Sequence, residues 1–287
     1  MTPLPFWQLL TLVILLLLGG RIVAGWLWHA LAYSGPRLSR AVAGFTRRWS
    51  MTDWWQRHFP GTSRFIARRV AVDRFSGLPL TLIAGLALYL IVLSAGLLED
   101  LFEGKELIAF DQQINAMLAV LRDPLFLQLT ASVTALANLE TLIAVMLVAI
   151  GFLWACERHR YIPGLLLTVI GSQTITYIGK YAIDRDRPDF LTFAEATTPS
   201  FPSGHATGAI AVYGFIIYAI ARDLSGPRQR FELAYWGSAL IASIAASRAI
   251  LSVHFASDIA AGLLVGGFWL LSGFTLTEYL RERASRS

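Results

Sequence analysis

Residues 201–221 read Phe-Pro-Ser-Gly-His-Ala-Thr-Gly-Ala-Ile-Ala-Val-Tyr-Gly-Phe-Ile-Ile-Tyr-Ala-Ile-Ala. The stretch has two halves. Phe201 to His205 is a short polar segment with a proline and a glycine. An apolar run follows at once and lasts to Arg222. Crossing a lipid core takes roughly 20 apolar residues in helical conformation, because each residue advances about 1.5 Å. The run therefore predicts a membrane-spanning helix over 206–222, with a chemically active segment at its entrance.

Moving outward, the same pattern recurs. Apolar blocks predict further spans at 6–30, 78–98, 135–155, 162–183, 234–253 and 255–277. The chain has 287 residues, of which 55% are hydrophobic and 15% charged. Soluble domains carry about 25% charged residues. The fold class expected is all-α, a polytopic transmembrane helix bundle. No internal repeat or low-complexity segment is evident. The first apolar run lacks a basic flank before it and a small-residue cleavage site after it, so it reads as a retained span.

The net charge of +5 does not indicate nucleic acid. Only two basic residues are Lys, Lys105 and Lys180, and the Arg residues lie mostly between spans, where they set topology. Residues 33–78 carry Arg37, Arg40, Arg47, Arg48, Arg57, Arg64, Arg68, Arg69 and Arg74 against Asp53 and Asp73. Arg158–Arg160, Arg222–Arg230 and the tail with Arg281, Arg283 and Arg286 are also basic. These regions alternate onto one face, assigned to the cytoplasm. Segment 99–130 falls on the other face and is acidic. Within it, Phe110, Ile114, Met117, Leu118 and Leu121 follow helical spacing. They suit a helix at the interface or packed on the bundle, with a gate for lipid entry as the functional alternative. Trp49, Trp54 and Trp55 among the arginines of the linker suit a surface anchor on anionic lipid. The lone cysteine, Cys156, cannot form an internal disulfide and says nothing of redox compartment.

Three segments carry chemistry, and the topology brings all three to the non-cytoplasmic face. The first is Lys180-Tyr-Ala-Ile-Asp-Arg-Asp-Arg187-Pro188. Its two cations, about two turns apart if the helix continues, suit an anion clamp, or else a basic span end near headgroups. The second is Phe201 to His205. Ser203 suits a helix cap, Gly204 permits close backbone approach, and the helix start favours a phosphate. The plain alternative is a cap beside an interfacial histidine. The third runs from Ser247-Arg248 through His254 to Asp258. His254 and Asp258, four apart, are neighbours on a helical face. A carboxylate on one ring nitrogen fixes the tautomer and frees the other nitrogen as a nucleophile. A structural ion pair within the bundle is the alternative. Together, three cations and two imidazoles around one carboxylate describe a receptor for a phosphate dianion. His205, His254 and Asp258 as metal ligands fit poorly, because Lys180, Arg187 and Arg248 would repel the ion.

The order K-x6-R-P, P-S-G-H and S-R-x5-H-x3-D resembles the type 2 phosphatidic acid phosphatase superfamily, which includes the vanadium haloperoxidases. Every motif position matches. The resemblance covers roughly 78–277 and implies a six-helix phosphatase core, with one extra N-terminal span. Domains are expected at 1–77, a span and basic cytoplasmic linker, and 78–287, the phosphatase-like membrane domain. The region near Phe75-Ser-Gly-Leu-Pro resembles, more weakly, the phosphatase part of bacterial DedA–phosphatase fusions. The resemblance implies hydrolysis of a lipid phosphomonoester or pyrophosphate, such as undecaprenyl pyrophosphate, phosphatidic acid or phosphatidylglycerol phosphate. His254 is then the nucleophile, Asp258 its orienting partner and His205 the proton donor to the leaving oxygen. Lys180, Arg187, Ser203, Gly204 and Arg248 hold the phosphoryl oxygens. Neither metal nor cofactor is implied. The setting expected is a bacterial inner membrane, with the site on the periplasmic face. A lipid phosphotransferase using the same histidine, and a non-enzymatic lipid transporter, remain as alternatives. Oligomeric state stays open.

Overall fold

The computed structural model describes residues 3–48, 57–70, 75–188 and 197–285. Trp49, Trp54 and Trp55 of the linker, with Asp53, Asp73, Arg74 and Arg286, lie outside the described residues. So do residues 189–196 of the segment after Pro188.

The described chain is helical, in the order α1 (Phe6–Arg48), α2 (Pro60–Val70), α3 (Leu78–Glu103), α4 (Lys105–Leu118), α5 (Pro124–Ala135), α6 (Leu139–Ala155), α7 (Ile162–Ile183), α8 (Gly204–Ala221), α9 (Pro227–Ile250) and α10 (Ala256–Ala284). Among the described residues, six helical stretches are long and apolar enough to cross a membrane: Phe6–Ala30, Leu78–Glu103, His159–Ile183, Gly204–Ala221, Pro227–Ile250 and Ala256–Ala284. The span expected at 135–155 is the 17-residue α6, which starts only at Leu139. Residues before it belong to α5, which meets the helical segment Lys105–Leu121 at a bend of 116°. Asp123 makes that corner: its side chain accepts from the backbone N–H groups of Leu125 and Phe126, and Pro124 opens the helix.

Two compact units divide the chain. One comprises Leu15–Gly85 and the other Met1–Ile14 with Leu86–Ser287. In the smaller unit, basic α2 lays Arg69 over the ring of Phe65 at 5.2 Å, and Thr81 Oγ1 donates to the Arg69 carbonyl. In the larger unit, α7, α8, α9 and α10 pack on one another. Gly164 of α7 faces Gly273 of α10 so closely that a Cβ on Gly273 would lie 2.6 Å from the Gly164 carbonyl oxygen. Small residues at such crossings let helix backbones approach where lipid supplies no hydrophobic drive. Leu165, Phe215, Ile244 and Val212 fill the interior.

The helix ends sort into two groups. At one end, Tyr218 of α8, Arg222 at its C-cap and Arg281 of α10 all bond Glu278, and Arg158 pairs with Asp223. At the other end meet the C-termini of α7 and α9 and the N-termini of α8 and α10. The backbone N–H of Ser203 donates there to the Asp258 carbonyl at 3.0 Å, and that of Ser200 to the Arg185 carbonyl at 2.8 Å.

Candidate active site

The first chemical segment leaves its helix early. α7 stops at Ile183, and Asp184 adopts a left-handed conformation with φ 47°. Lys180 and Arg187 therefore do not share a helical face. They meet because the chain turns back. Lys180 Nζ donates to the Pro199 carbonyl at 2.5 Å, and Arg187 Nη2 reaches the same oxygen at 3.5 Å. Arg187 also donates to the carbonyls of Thr198 and Val253, at 2.8 and 2.7 Å. Burial lowers the Arg187 pKa, with the charge of Asp258 opposing.

Ser203 occupies the N-cap position of α8, but its hydroxyl makes no capping hydrogen bond. Oγ is buried and, among the described residues, has no partner. The expected cap is thus absent. A Cβ on Gly204 would meet Thr176 at 3.9 Å, ordinary contact, so packing alone does not require a glycine there. His205 follows in the first turn, with Nε2 3.0 Å from Asn138 Oδ1. The charges of Arg248, His254, Arg187 and Lys180 all bear on its imidazole.

The third segment also departs from simple helical spacing. α9 ends at Ile250, Ser252 is left-handed with φ 54°, and α10 begins only at Ala256. His254 is outside both helices. Asp258 lies in the first turn of α10, where Oδ2 accepts from the backbone N–H of Phe255 at 2.9 Å. That capping contact, not a shared helical face, brings the carboxylate to the imidazole: Asp258 Oδ2 lies 3.4 Å from His254 Nδ1. The opposite ring nitrogen, Nε2, lies 3.4 Å from Arg187 Nη1. A guanidinium offers only donors, so Nε2 carries the lone pair and Nδ1 the proton facing the carboxylate. His254 is 4% exposed and Asp258 fully buried. Burial pushes the His254 pKa down to about 4; Asp258 opposes this, while Arg187 and Arg248 add to it. The ring is accordingly neutral across the physiological range.

Arg248 is buried near the end of α9 and donates from Nη1 to Thr134 Oγ1 at 2.9 Å. Its Nε, like Ser203 Oγ, has no partner among the described residues. A buried unpaired donor costs roughly 1–3 kcal/mol, so two of them at one site mark a place suited to an acceptor-rich group.

All eight expected residues thus gather at one end of the larger unit. Others joined them that the sequence reading passed over. Ser200 donates to Asp258 and faces His254 Nδ1 at 3.4 Å. Arg185, Asp111, Thr134 and Asn138 contact site residues as well. Asp111 is buried in the middle of α4, which begins at Lys105.

Comparison with known proteins bears on the family and the fold. The sequence model of the PAP2 superfamily matches residues 162–282. Phosphatidylglycerophosphatase B of Bacillus subtilis (strain 168) is 30% identical over 168 residues, covering 57% of this chain and 82% of that protein. The crystal structure of a transmembrane PAP2-type phosphatidylglycerolphosphate phosphatase from Bacillus subtilis superposes with a TM-score of 0.58 at 23% identity, over 67% of this chain and 94% of the other. That of Aquifex aeolicus LpxE gives 0.47 at 18% identity, over 58% and 93%. The multi-pass helical fold and the extent of the relationship to the Bacillus subtilis protein place one conclusion beyond the motifs themselves: this chain belongs to the PAP2 superfamily of membrane phosphatases.

Proposed function

We propose that this protein hydrolyses a phosphomonoester or pyrophosphate of a lipid through a phosphohistidine on His254 Nε2. The observation that carries the reading is the pair of orphaned polar atoms. Among the described residues, Ser203 Oγ and Arg248 Nε are buried without partners, and both residues are expected to hold phosphate. Lys180 and Arg187 spend their donors on the carbonyls of Thr198, Pro199 and Val253. Phosphoryl oxygens are stronger acceptors for such cations.

In this scheme the three cations and Ser203 bind the non-bridging oxygens, where charge spreads in the transition state. Nε2 attacks phosphorus in line as the bond to the leaving oxygen breaks. His205 gives that oxygen a proton. Asp258 balances the positive charge on the His254 ring. Water then cleaves the N–P bond and releases phosphate. The donor set supports a reaction without metal: Asp258 is already held by Arg185, Ser200 and the Phe255 N–H, and both imidazoles sit among cations.

An apolar groove of about 950 Å³ between α3 and α10, lined by Leu90, Leu97, Ile210, Ala260 and Leu264, supports a substrate with an apolar tail. Ala260 is two residues beyond Asp258. Among the three substrates expected from the sequence, the name of the Bacillus subtilis relative favours phosphatidylglycerol phosphate, with phosphatidic acid and undecaprenyl pyrophosphate as the others to try.

The test is phosphate release from these three lipids by purified wild type, His254→Ala and His205→Ala. Each substitution should lower kcat by at least about 1,000-fold, the order seen when a nucleophile or its acid–base partner is removed. Vanadate should inhibit and EDTA should not. Wild-type turnover by His254→Ala would overturn the nucleophile. Loss on chelation, restored by a divalent ion, would overturn metal independence.

A further inference from the structure

α4 shows its apolar side chains outward: Ile108, Phe110 and Met117 are exposed. Its inner face carries two buried polar residues one turn apart, Asp111 and Asn115. A buried carboxylate is expensive unless paired, and the catalytic scheme makes no use of Asp111.

Asp111 is paired, and its partners lead to the nucleophile. Oδ1 accepts from the backbone N–H of Ser257 at 3.0 Å, and Oδ2 from the Ser257 hydroxyl at 2.5 Å and Arg185 Nη2 at 2.8 Å. The other prong of the same guanidinium, Nη1, donates to Asp258 Oδ1 at 2.6 Å and to Ser257 Oγ at 2.7 Å. The Arg185 plane lies over the ring of Phe255, 4.3 Å from its centroid. One arginine thus bridges two fully engaged carboxylates and is wedged against an aromatic. It differs in this from Lys180 and Arg187, whose donors rest on loop carbonyls. Arg185 sits in the same segment but points to the back of Asp258.

We propose that Asp111 and Arg185 are positioning residues, a relay in the order Asp111, Arg185, Asp258, His254 that fixes the carboxylate plane so that Oδ2 stays on His254 Nδ1. The relay rests on the reading of His254 as nucleophile. Its charges fit that role. Asp111, Arg185 and Asp258 sum to one negative charge, which matches the single positive charge gained by the imidazole when Nε2 takes up phosphorus. Without the Asp111 charge, Arg185 would neutralise Asp258 alone, and the pull on the ring would weaken. Two-pronged geometry also matters: a lysine at 185 keeps the charge but cannot hold both carboxylates in one plane.

The test compares full-length Asp111→Asn and Arg185→Lys with wild type and His254→Ala, using dioleoyl phosphatidic acid in detergent micelles. In each relay variant kcat should fall roughly 10- to 100-fold, the scale of an outer partner that orients a site group. KM and the vanadate inhibition constant should stay within about twofold, because the phosphate ligands are untouched. The double variant should be no slower than the worse single one, since both break the same chain. Wild-type kcat in the two single variants overturns the relay. So does a kcat loss accompanied by equal weakening of vanadate, which marks general damage to the pocket. Wild-type kcat in His254→Ala would instead remove the nucleophile, a separate result read from a separate variant. If Asp111→Asn does not fold, Arg185→Lys, which keeps the buried charge, still decides.

Discussion

His254 combines three properties that its residue type alone does not guarantee. It is buried, one nitrogen faces a carboxylate, and the other faces a guanidinium. Burial is the largest influence on its protonation and holds its pKa at about 4. Between that value and the ordinary 6.5, an unfolded chain takes up a proton that the folded one refuses. The His254 contribution to stability is therefore full above about pH 6.5 and is lost as pH falls through the window toward 4. An NMR titration of histidine-labelled protein in micelles, with His254→Gln for assignment, should give a midpoint near 4. The groups facing the ring are Asp258, Ser200, Arg187 and Arg248, and a midpoint at or above 6.5 would contradict that environment. All eight residues assigned to the site were legible in the sequence, because rare residue types at fixed spacing mark them: two of five histidines and one of only two lysines. Ser200, Arg185 and Asp111 were not. Serine and arginine are common here, and Asp111 reaches the site across 146 residues to Ser257, which no local pattern records.

Helix existence was legible from apolar runs, and so were some helix ends: the span expected at 162–183 is α7, Ile162–Ile183. How the chain leaves those ends was not legible: Lys180 and Arg187 would share a face only if the helix continued, and Asp184 ends it in a left-handed turn. Likewise His254 and Asp258 meet through the capping of α10, a geometry that spacing by four imitates. These ends depend on contacts between elements, chiefly α8 against α10. Gly262 sets that contact: a Cβ there would lie 2.5 Å from the Ser203 carbonyl oxygen and 3.1 Å from both Ala206 Cβ and Thr207 Oγ1. The neighbour at 2.5 Å is backbone and cannot rotate away. Gly262→Ala should therefore push α10 from the start of α8, strain the Ser203 N–H bond to the Asp258 carbonyl, and cost about 1–3 kcal/mol of stability. Thermal unfolding in detergent and phosphate release should both fall. Gly151→Ala on α6, where a Cβ meets nothing within 4 Å, should change neither. An unaffected Gly262→Ala would show that this crossing has more slack than its distances imply.

The two ends of the larger unit differ in charge as well as chemistry. The end with the site carries acidic Glu99, Asp100, Glu103 and Glu106 nearby in sequence, while the end opposite gathers Arg158, Arg222, Arg281 and Arg283. Arginine is retained on the cytoplasmic side of bacterial spans, so the site is proposed to open to the periplasm. Hydrolysis there would release phosphate outside the cell and act on lipid in the outer leaflet. The lone cysteine makes this testable without building a new reporter at the opposite end. Cys156 caps α6 beside Arg158 and is exposed. In intact spheroplasts it should resist a membrane-impermeant maleimide and react only after permeabilisation. Glu103, exposed at the end of α3, serves the other face: Glu103→Cys combined with Cys156→Ser should react at once in intact spheroplasts. The reversed labelling pattern would turn the protein over in the membrane and put its product phosphate in the cytoplasm. Labelling of both positions without permeabilisation would mean that the arginine asymmetry does not fix a single orientation.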